Sequence, residues 1–258
     1  MELFKVTKIK AGGREIVEDP VVEEVPFTLI VDDKELVTLL CMPADLEDLA
    51  MGFLFTSGLV RKKDDISKII IDHQRWSANI ELSNDTIAKE MIFKRVYTSG
   101  CGRGTLFYDP LDLINRFKVV SDLKIDEGKV SSLVADFQKR SEIYLKTGGV
   151  HSAALADNNA ILIFKEDVGR HNAIDKIIGS RLRAGGDFTN KILITSGRIS
   201  SEVLLKTQKC GIPMIVSRSA PTNQAIKLAM DMGITLVGFA RGDRMNVYSA
   251  EERIGRDT

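Results

Sequence analysis

Cys101 stands in the stretch RVYTSGCGRGTLF, residues 95–107, with Gly100, Gly102 and Gly104 around it and Arg103 two positions on. Flanking glycines free the backbone to adopt positive φ and to move. Arg103 would favour the thiolate, which is the nucleophile in sulfur exchange. The chemistry indicated is acceptance and release of sulfur. The plainer alternative is a small core residue beside pliable chain, and a single-cysteine signature leaves both open. Cys41, after the apolar LVTLL, and Cys210, before a turn glycine, read as structural thiols.

A second set of residues could hold an anion. The segments EDVGRH (166–171), SGR (196–198), SRS (217–219) and RGDR (241–244) each place arginine beside small or hydroxylated residues. Arginine forks make bidentate bonds suited to phosphate oxygens, and helix starts add unpaired N–H groups. Converging, such ends would hold a nucleotide or a pyrophosphate-linked cofactor, with Arg198, Arg218 and Ser219 as contacts. Read plainly, the same arginines are solvated strand ends or ion-pair partners of Asp167, Glu202 and Asp243. No G-x-G-x-x-G or G-x-x-x-x-G-K-[ST] follows a strand, so neither a dinucleotide fold nor an NTPase is signalled. His151 and His171 titrate where proton transfer is useful, although a lone histidine is more often a structural hydrogen-bonder. Neither His151-Ser152-Ala153 nor His171-Asn172-Ala173 provides the His-x-Glu of a zinc deaminase, and the paired cysteines are missing; no metal is expected.

Elements able to position these groups follow from periodicity. VPFTLIVDDKELVTLLCMP reads as a hairpin turning at Asp32-Asp33. Pro43 then opens a helix carrying Leu46, Leu49, Ala50, Phe53 and Leu54, stopped near Gly58. DDISKIIIDHQ, SANIELS and MIFKRVYTS read as strands. One helix is expected to carry Leu133, Val134, Phe137, Tyr144 and Leu145 and to end at Gly148-Gly149. Beyond it, ALADNNAILIFK reads as a hairpin turning at Asn158-Asn159. Strands KILIT, PMIVS and ITLVGF then alternate with helices, the pattern of a largely parallel sheet. The expected fold is α/β: a mostly parallel sheet with helices on both faces in a larger C-terminal domain (121–258), preceded by a smaller N-terminal α+β domain (1–120) that ends in the Cys101 loop. In such a sheet ligands sit beyond the carboxyl ends of the strands, where the arginine segments fall.

Composition narrows the function classes. Lys plus Arg and Asp plus Glu are 36 each, so no global field favours nucleic acid or an anionic membrane. The N-terminus lacks the apolar core and cleavage site of a signal peptide, and no stretch approaches the roughly 18 apolar residues of a spanning helix. Three scattered cysteines without a C-x-x-C pair fit a reducing cytoplasm.

The motifs YTSGCG, TGGVHSAAL, EDVGRHNAIDKIIG, SGRISSE, GIPMIVSRSAPTNQAI and GITLVGFARGDRMNVY resemble, in order, the formate dehydrogenase accessory sulfurtransferase family (FdhD), and CMPADLEDLAMGFLFTSGLV is similar to its early helix. The resemblance implies a cytoplasmic sulfur carrier needed for formate dehydrogenase activity. Sulfur would come from a cysteine desulfurase as a persulfide and pass to the molybdenum bis(molybdopterin guanine dinucleotide) cofactor, with a GDP-like ligand as a simpler occupant. It implies a larger domain resembling the cytidine deaminase fold without zinc, and a homodimer that serves the formate dehydrogenase catalytic subunit. It maps the persulfide cysteine onto Cys101 and the cofactor-binding stretch onto Phe239, Ala240, Arg241, Gly242, Asp243 and Arg244; Arg198, Arg218, Ser219 and His171 join as further contacts. Family members often carry Cys-x-x-Cys where this chain has Cys101-Gly102-Arg103-Gly104. That departure keeps open a competing role, a non-enzymatic chaperone for the molybdenum cofactor.

Overall fold

Alternation in LFKVTKIK builds β1 (Glu2–Lys10), which pairs antiparallel with β2 (Gly13–Val21) across a two-residue turn. The structure is a computed structural model and describes residues 1–83, 96–97, 105–106 and 117–255. Cys101 and the loop around it lie outside the described residues.

The first predicted hairpin is present. Asp32 and Asp33 take φ of 46° and 64° and turn β3 (Val25–Val31) back onto β4 (Lys34–Cys41). Short polar side chains tolerate that left-handed geometry, which suits the twist of a two-residue hairpin. β5 (Ile66–Asp72) and β6 (Ser77–Leu82) complete a four-stranded sheet ordered β4-β3-β6-β5. Short strands β7 (Val96–Tyr97) and β8 (Thr105–Leu106) pair with each other. Between β4 and β5, α1 (Leu46–Thr56) is buried along nearly its whole length.

The expected single helix ending at Gly148-Gly149 is two. After the short β9 (Ile125–Asp126), α2 (Glu127–Lys139) stops at Arg140-Ser141, and α3 (Glu142–Thr147) follows in a new direction. Glu166 holds the start of α3 by accepting from the N–H groups of Ile143 and Tyr144, 3.2 and 3.3 Å away. Leu133, Val134 and Phe137 are core residues, whereas Tyr144 and Leu145 are 46% and 71% exposed.

The larger sheet takes its strands from β10 (His151–Ala156), β11 (Ile161–Asp167), β12 (Ile192–Thr195), β13 (Met214–Ser217), β14 (Thr235–Arg241) and β15 (Arg244–Ser249), in the order β11-β10-β12-β13-β14-β15. The expectation of a mostly parallel sheet is corrected here. Only β12-β13-β14 run parallel; β10 is antiparallel to both neighbours, and β15 is antiparallel to β14. Loops set this outcome. The loop around Asn158-Asn159 and the two-residue Gly242-Asp243 turn are too short for a crossover, so each forces a hairpin. The remaining strands are joined by α4 (Arg170–Arg183), α5 (Ser201–Lys209) and α6 (Asn223–Met232). A last short strand, β16 (Ile254–Gly255), lies beside β9.

Helices do cover both faces. Leu155, Leu193, Ile215 and Leu236 point to the side packed by α1, α4, α5 and α6, in one apolar cluster that also takes in Phe27 and Leu29 of the smaller sheet. Ala154, Ile194, Val216 and Val237 point to the side packed by α2 through Val130, Val134 and Phe137. No helix among the described residues is long and apolar enough to cross a membrane.

Candidate functional site

Because β10 runs against β12, His151 at its start lies on the same rim as the carboxyl ends of β12, β13 and β14. A cavity of about 490 Å³ opens there. His151, Ser196, Arg218, Ser219 and Arg241 line it from successive strand ends, and Tyr144, Gly148 and Gly149 line it from α3 and the turn after it. The convergence read from the sequence is therefore present for Arg218, Ser219 and Arg241.

Hydrogen bonds lace these ends into one rim. Ser217 Oγ donates to the Gly197 carbonyl at 2.7 Å and accepts from the Ser219 N–H at 2.9 Å. The Ser219 carbonyl accepts from the Phe239 N–H at 3.1 Å. Arg241 Nε donates to the Arg218 carbonyl at 3.0 Å, which fixes one guanidinium against the backbone of the other arginine. Gly197 is needed for closeness; a Cβ there would lie 2.9 Å from the Cβ of Arg170. Arg218 Nε is enclosed and finds no partner among the described residues. An enclosed cationic donor without an acceptor is costly unless an anion completes it.

His151 is placed for proton work. Its Nδ1 lies 3.3 Å from Ser196 Oγ, which also accepts from the Ser152 N–H at 3.0 Å. Burial, with Arg170 adding to it, lowers its pKa, so the ring is neutral near pH 7. His171 sits deeper, its Nε2 3.3 Å from Glu202 Oε2. Burial, Lys206 and Arg170 push its pKa down to about 2. Burial raises the Glu202 carboxyl in turn.

Other expected residues lie elsewhere. Ala240 is buried, 2% exposed, in the α2-side core. Gly242, Asp243 and Arg244 line a separate cavity of about 610 Å³ with Ser131 and Ser132 of α2. Phe239 is 40% exposed with φ of 54°, a conformation unusual for a bulky residue, at the irregular pairing of β14 with β15. Arg198 is exposed on the loop after β12, and neither it nor His171 lines the strand-end cavity. The helices after β12 and β13 are capped by Ser200 and Thr222, which accept from Val203 and Ala225, so those N–H groups are already engaged.

Ser196 lines the cavity as part of the SGR segment read from the sequence, whereas Ser141, Tyr144 and Ser152 are lining residues that sequence reasoning missed. Tyr144 was assigned to the apolar face of a continuous helix. The break at Arg140-Ser141 gives Tyr144 a new direction, and the local apolar spacing carries no signal of it.

The FdhD/NarQ family model matches residues 22–255. The chain is 44% identical over 257 residues to the sulfur carrier protein FdhD of Listeria innocua, covering 97% of each. It is 40% identical over 250 residues to the protein of the same name from Bacillus subtilis, covering 96% of this chain and 95% of that one. Among solved structures it is similar, with a TM-score of 0.80 and 30% identity, to a protein of Desulfotalea psychrophila taken to be a formate dehydrogenase accessory protein. That likeness covers 98% of this chain and 99% of the other.

Proposed function

This chain belongs to the FdhD/NarQ family, and from that premise we propose that it is a sulfur carrier that supports formate dehydrogenase. The observation that carries the reading is similarity along nearly the whole chain to relatives named sulfur carrier protein FdhD. Cys101 is the carrier thiol. Its thiolate attacks the terminal sulfur of a persulfide on a cysteine desulfurase; the donor's S–S bond breaks, a new S–S bond forms on Cys101, and the donor cysteine leaves as thiolate. No external oxidant or reductant is required.

The strand-end cavity is the docking place for the acceptor, the molybdenum bis(molybdopterin guanine dinucleotide) cofactor. Arg218 and Arg241 supply cationic forks for phosphate, Ser219 adds a polar contact, and neutral His151 can hold or give a proton beside them. A cavity of about 490 Å³ suits one nucleotide end of that molecule. The domain division near residue 120 and the cytidine-deaminase likeness of the C-terminal part belong to the same reading.

Incubation with a cysteine desulfurase and cysteine, followed by intact-protein mass spectrometry, should add one sulfur atom to the wild type and none to Cys101→Ala. No addition to the wild type, or an undiminished addition to the variant, overturns the carrier role. One observation favours a second reading: Gly104 stands where a second cysteine is common, so the chain lacks a neighbouring thiol. A chaperone that binds and presents the cofactor would tolerate Cys101→Ser. Complementation of a formate dehydrogenase assembly mutant by that variant separates the two roles.

A further inference from the structure

None of the six residues of α3 is buried, and a helix that short has little stability of its own. β2 touches it, but β2 belongs to a two-stranded ribbon outside the main sheets. The N-cap of α3, Ser141, makes no capping hydrogen bond; its hydroxyl lies 3.0 Å from Ser152 Oγ instead. The N–H groups that a cap normally engages are those of Ile143 and Tyr144. Both are taken by the Glu166 carboxylate of β11, at 3.2 and 3.3 Å. Glu166 Oε1 also accepts from Ser152 Oγ at 3.3 Å, directly across the β10-β11 pairing. One side chain of the sheet therefore does the work of the missing cap.

What α3 carries to the cavity is a ring. Tyr144 lines the cavity and is 46% exposed, whereas Arg218, Ser219 and Arg241 bring charge and polarity from the strand ends. One wall suits phosphate oxygens and the other suits a flat apolar face. A ligand with a charged end and a planar ring uses both. Stacking a base on an aromatic side chain strengthens binding roughly tenfold.

On the reading of this cavity as the nucleotide site, on which this step rests, we propose that Tyr144 is the contact for the planar base and that Glu166 is a positioning residue acting through it. Loss of the Glu166 carboxylate frees the first turn of α3, and Tyr144 loses its place. The arginines keep theirs, because the bond from Arg241 Nε to the Arg218 carbonyl does not involve α3.

Calorimetry of the full-length chain with GDP and with pyrophosphate separates the two walls. Tyr144→Ala and Glu166→Ala should each weaken GDP binding roughly tenfold and leave pyrophosphate at the wild-type affinity. Tyr144→Phe keeps the ring and should bind GDP as the wild type does. Glu166→Gln offers one acceptor oxygen in place of two and should weaken GDP as well. Combining Tyr144→Ala with Glu166→Ala should add nothing to Tyr144→Ala alone. Without ligand, hydrogen exchange at Ile143 and Tyr144 should quicken in Glu166→Ala and stay constant in β12 and β13. Unchanged GDP affinity in either alanine variant, an equal loss for pyrophosphate, losses that multiply in the double variant, or unchanged exchange overturns the pairing of roles and leaves the arginine site standing. A wild type that binds neither probe overturns the nucleotide reading and the base contact with it.

Discussion

Gly52 of α1 and Gly179 of α4 meet where the two helices cross, so closely that a Cβ on Gly52 would lie 1.8 Å from the Asp175 carbonyl oxygen and one on Gly179 would lie 1.9 Å from that of Asp48. Backbone rests on backbone at this crossing, and it joins the first part of the chain to the large sheet. Asp48, 1% exposed, anchors the same contact through Lys165 at 2.8 Å and Arg183 at 2.9 Å.

Replacing Gly52 by alanine should force the helices apart. A methyl group has no space between two rigid backbones, so overpacking rather than helix propensity decides the sign. The expected loss is about 3 kcal/mol of unfolding free energy, read from denaturant midpoints. An unchanged midpoint would show that the crossing relaxes freely.

Asp167 and Lys176 form a pair 2.6 Å apart with both side chains 0% exposed. Asp167 also accepts from the Met42 N–H at 3.1 Å and from Asn172 Nδ2 at 2.9 Å, which ties the end of β4 to the start of α4. Asp167→Ala strands a buried ammonium and should cost roughly 3–5 kcal/mol. Adding Lys176→Met should recover part of that loss. Failure of the second change to recover any stability would place the effect in the backbone contacts instead.

Arg218 and Arg241 should act together on ligand. Replacing both with glutamine is expected to weaken GDP binding at least tenfold in calorimetry. The melting temperature should stay nearly constant, since both lie at the cavity rim rather than in the core. Equal affinity for wild type and variant would remove the cavity as the nucleotide site.

His171 predicts an acid sensitivity. Its folded pKa, about 2, lies below the unfolded value, with burial the largest cause and Lys206 and Arg170 next. Below about pH 6.5 the unfolded chain binds a proton that the folded chain refuses, so stability rises with pH and falls on acidification by roughly 1 kcal/mol per pH unit. His151, also lowered, has the same sign, whereas Glu202 and Asp175, both raised by burial, work in the opposite sense at lower pH. The slope of stability between pH 6.5 and 5.5 should therefore be shallower in His171→Gln than in the wild type. Parallel slopes would contradict a buried neutral ring.

Much of the fold was legible because short-range rules governed it. The Asp32-Asp33 and Asn158-Asn159 turns, the core-facing positions of α1, and the strands at 192–195, 214–217 and 235–241 were all readable from local pattern. Arg218, Ser219 and Arg241 were also readable as a group, since each follows or ends a short apolar run. The break at Arg140-Ser141 was not, because the apolar spacing continues across it while the Glu166 carboxylate, distant in sequence, holds the new helix start. Strand direction was misjudged for a related reason. An apolar run has the same composition whichever way it points, and only the neighbouring loop and partner strand decide.

By itself the sequence determined which residue types stand at which points of the chain, the glycine-flanked Cys101 and the arginines near the strand ends among them, since residue type and local periodicity need no third dimension. Tertiary structure alone decided which of them meet. The reversed β10 brings His151 to the arginine rim, the β14-β15 turn carries Gly242, Asp243 and Arg244 to α2, and packing closes over Ala240. The physical reason is that short loops set direction within a hairpin, whereas which strands then lie side by side, as β10 beside β12, depends on contacts between segments far apart along the chain.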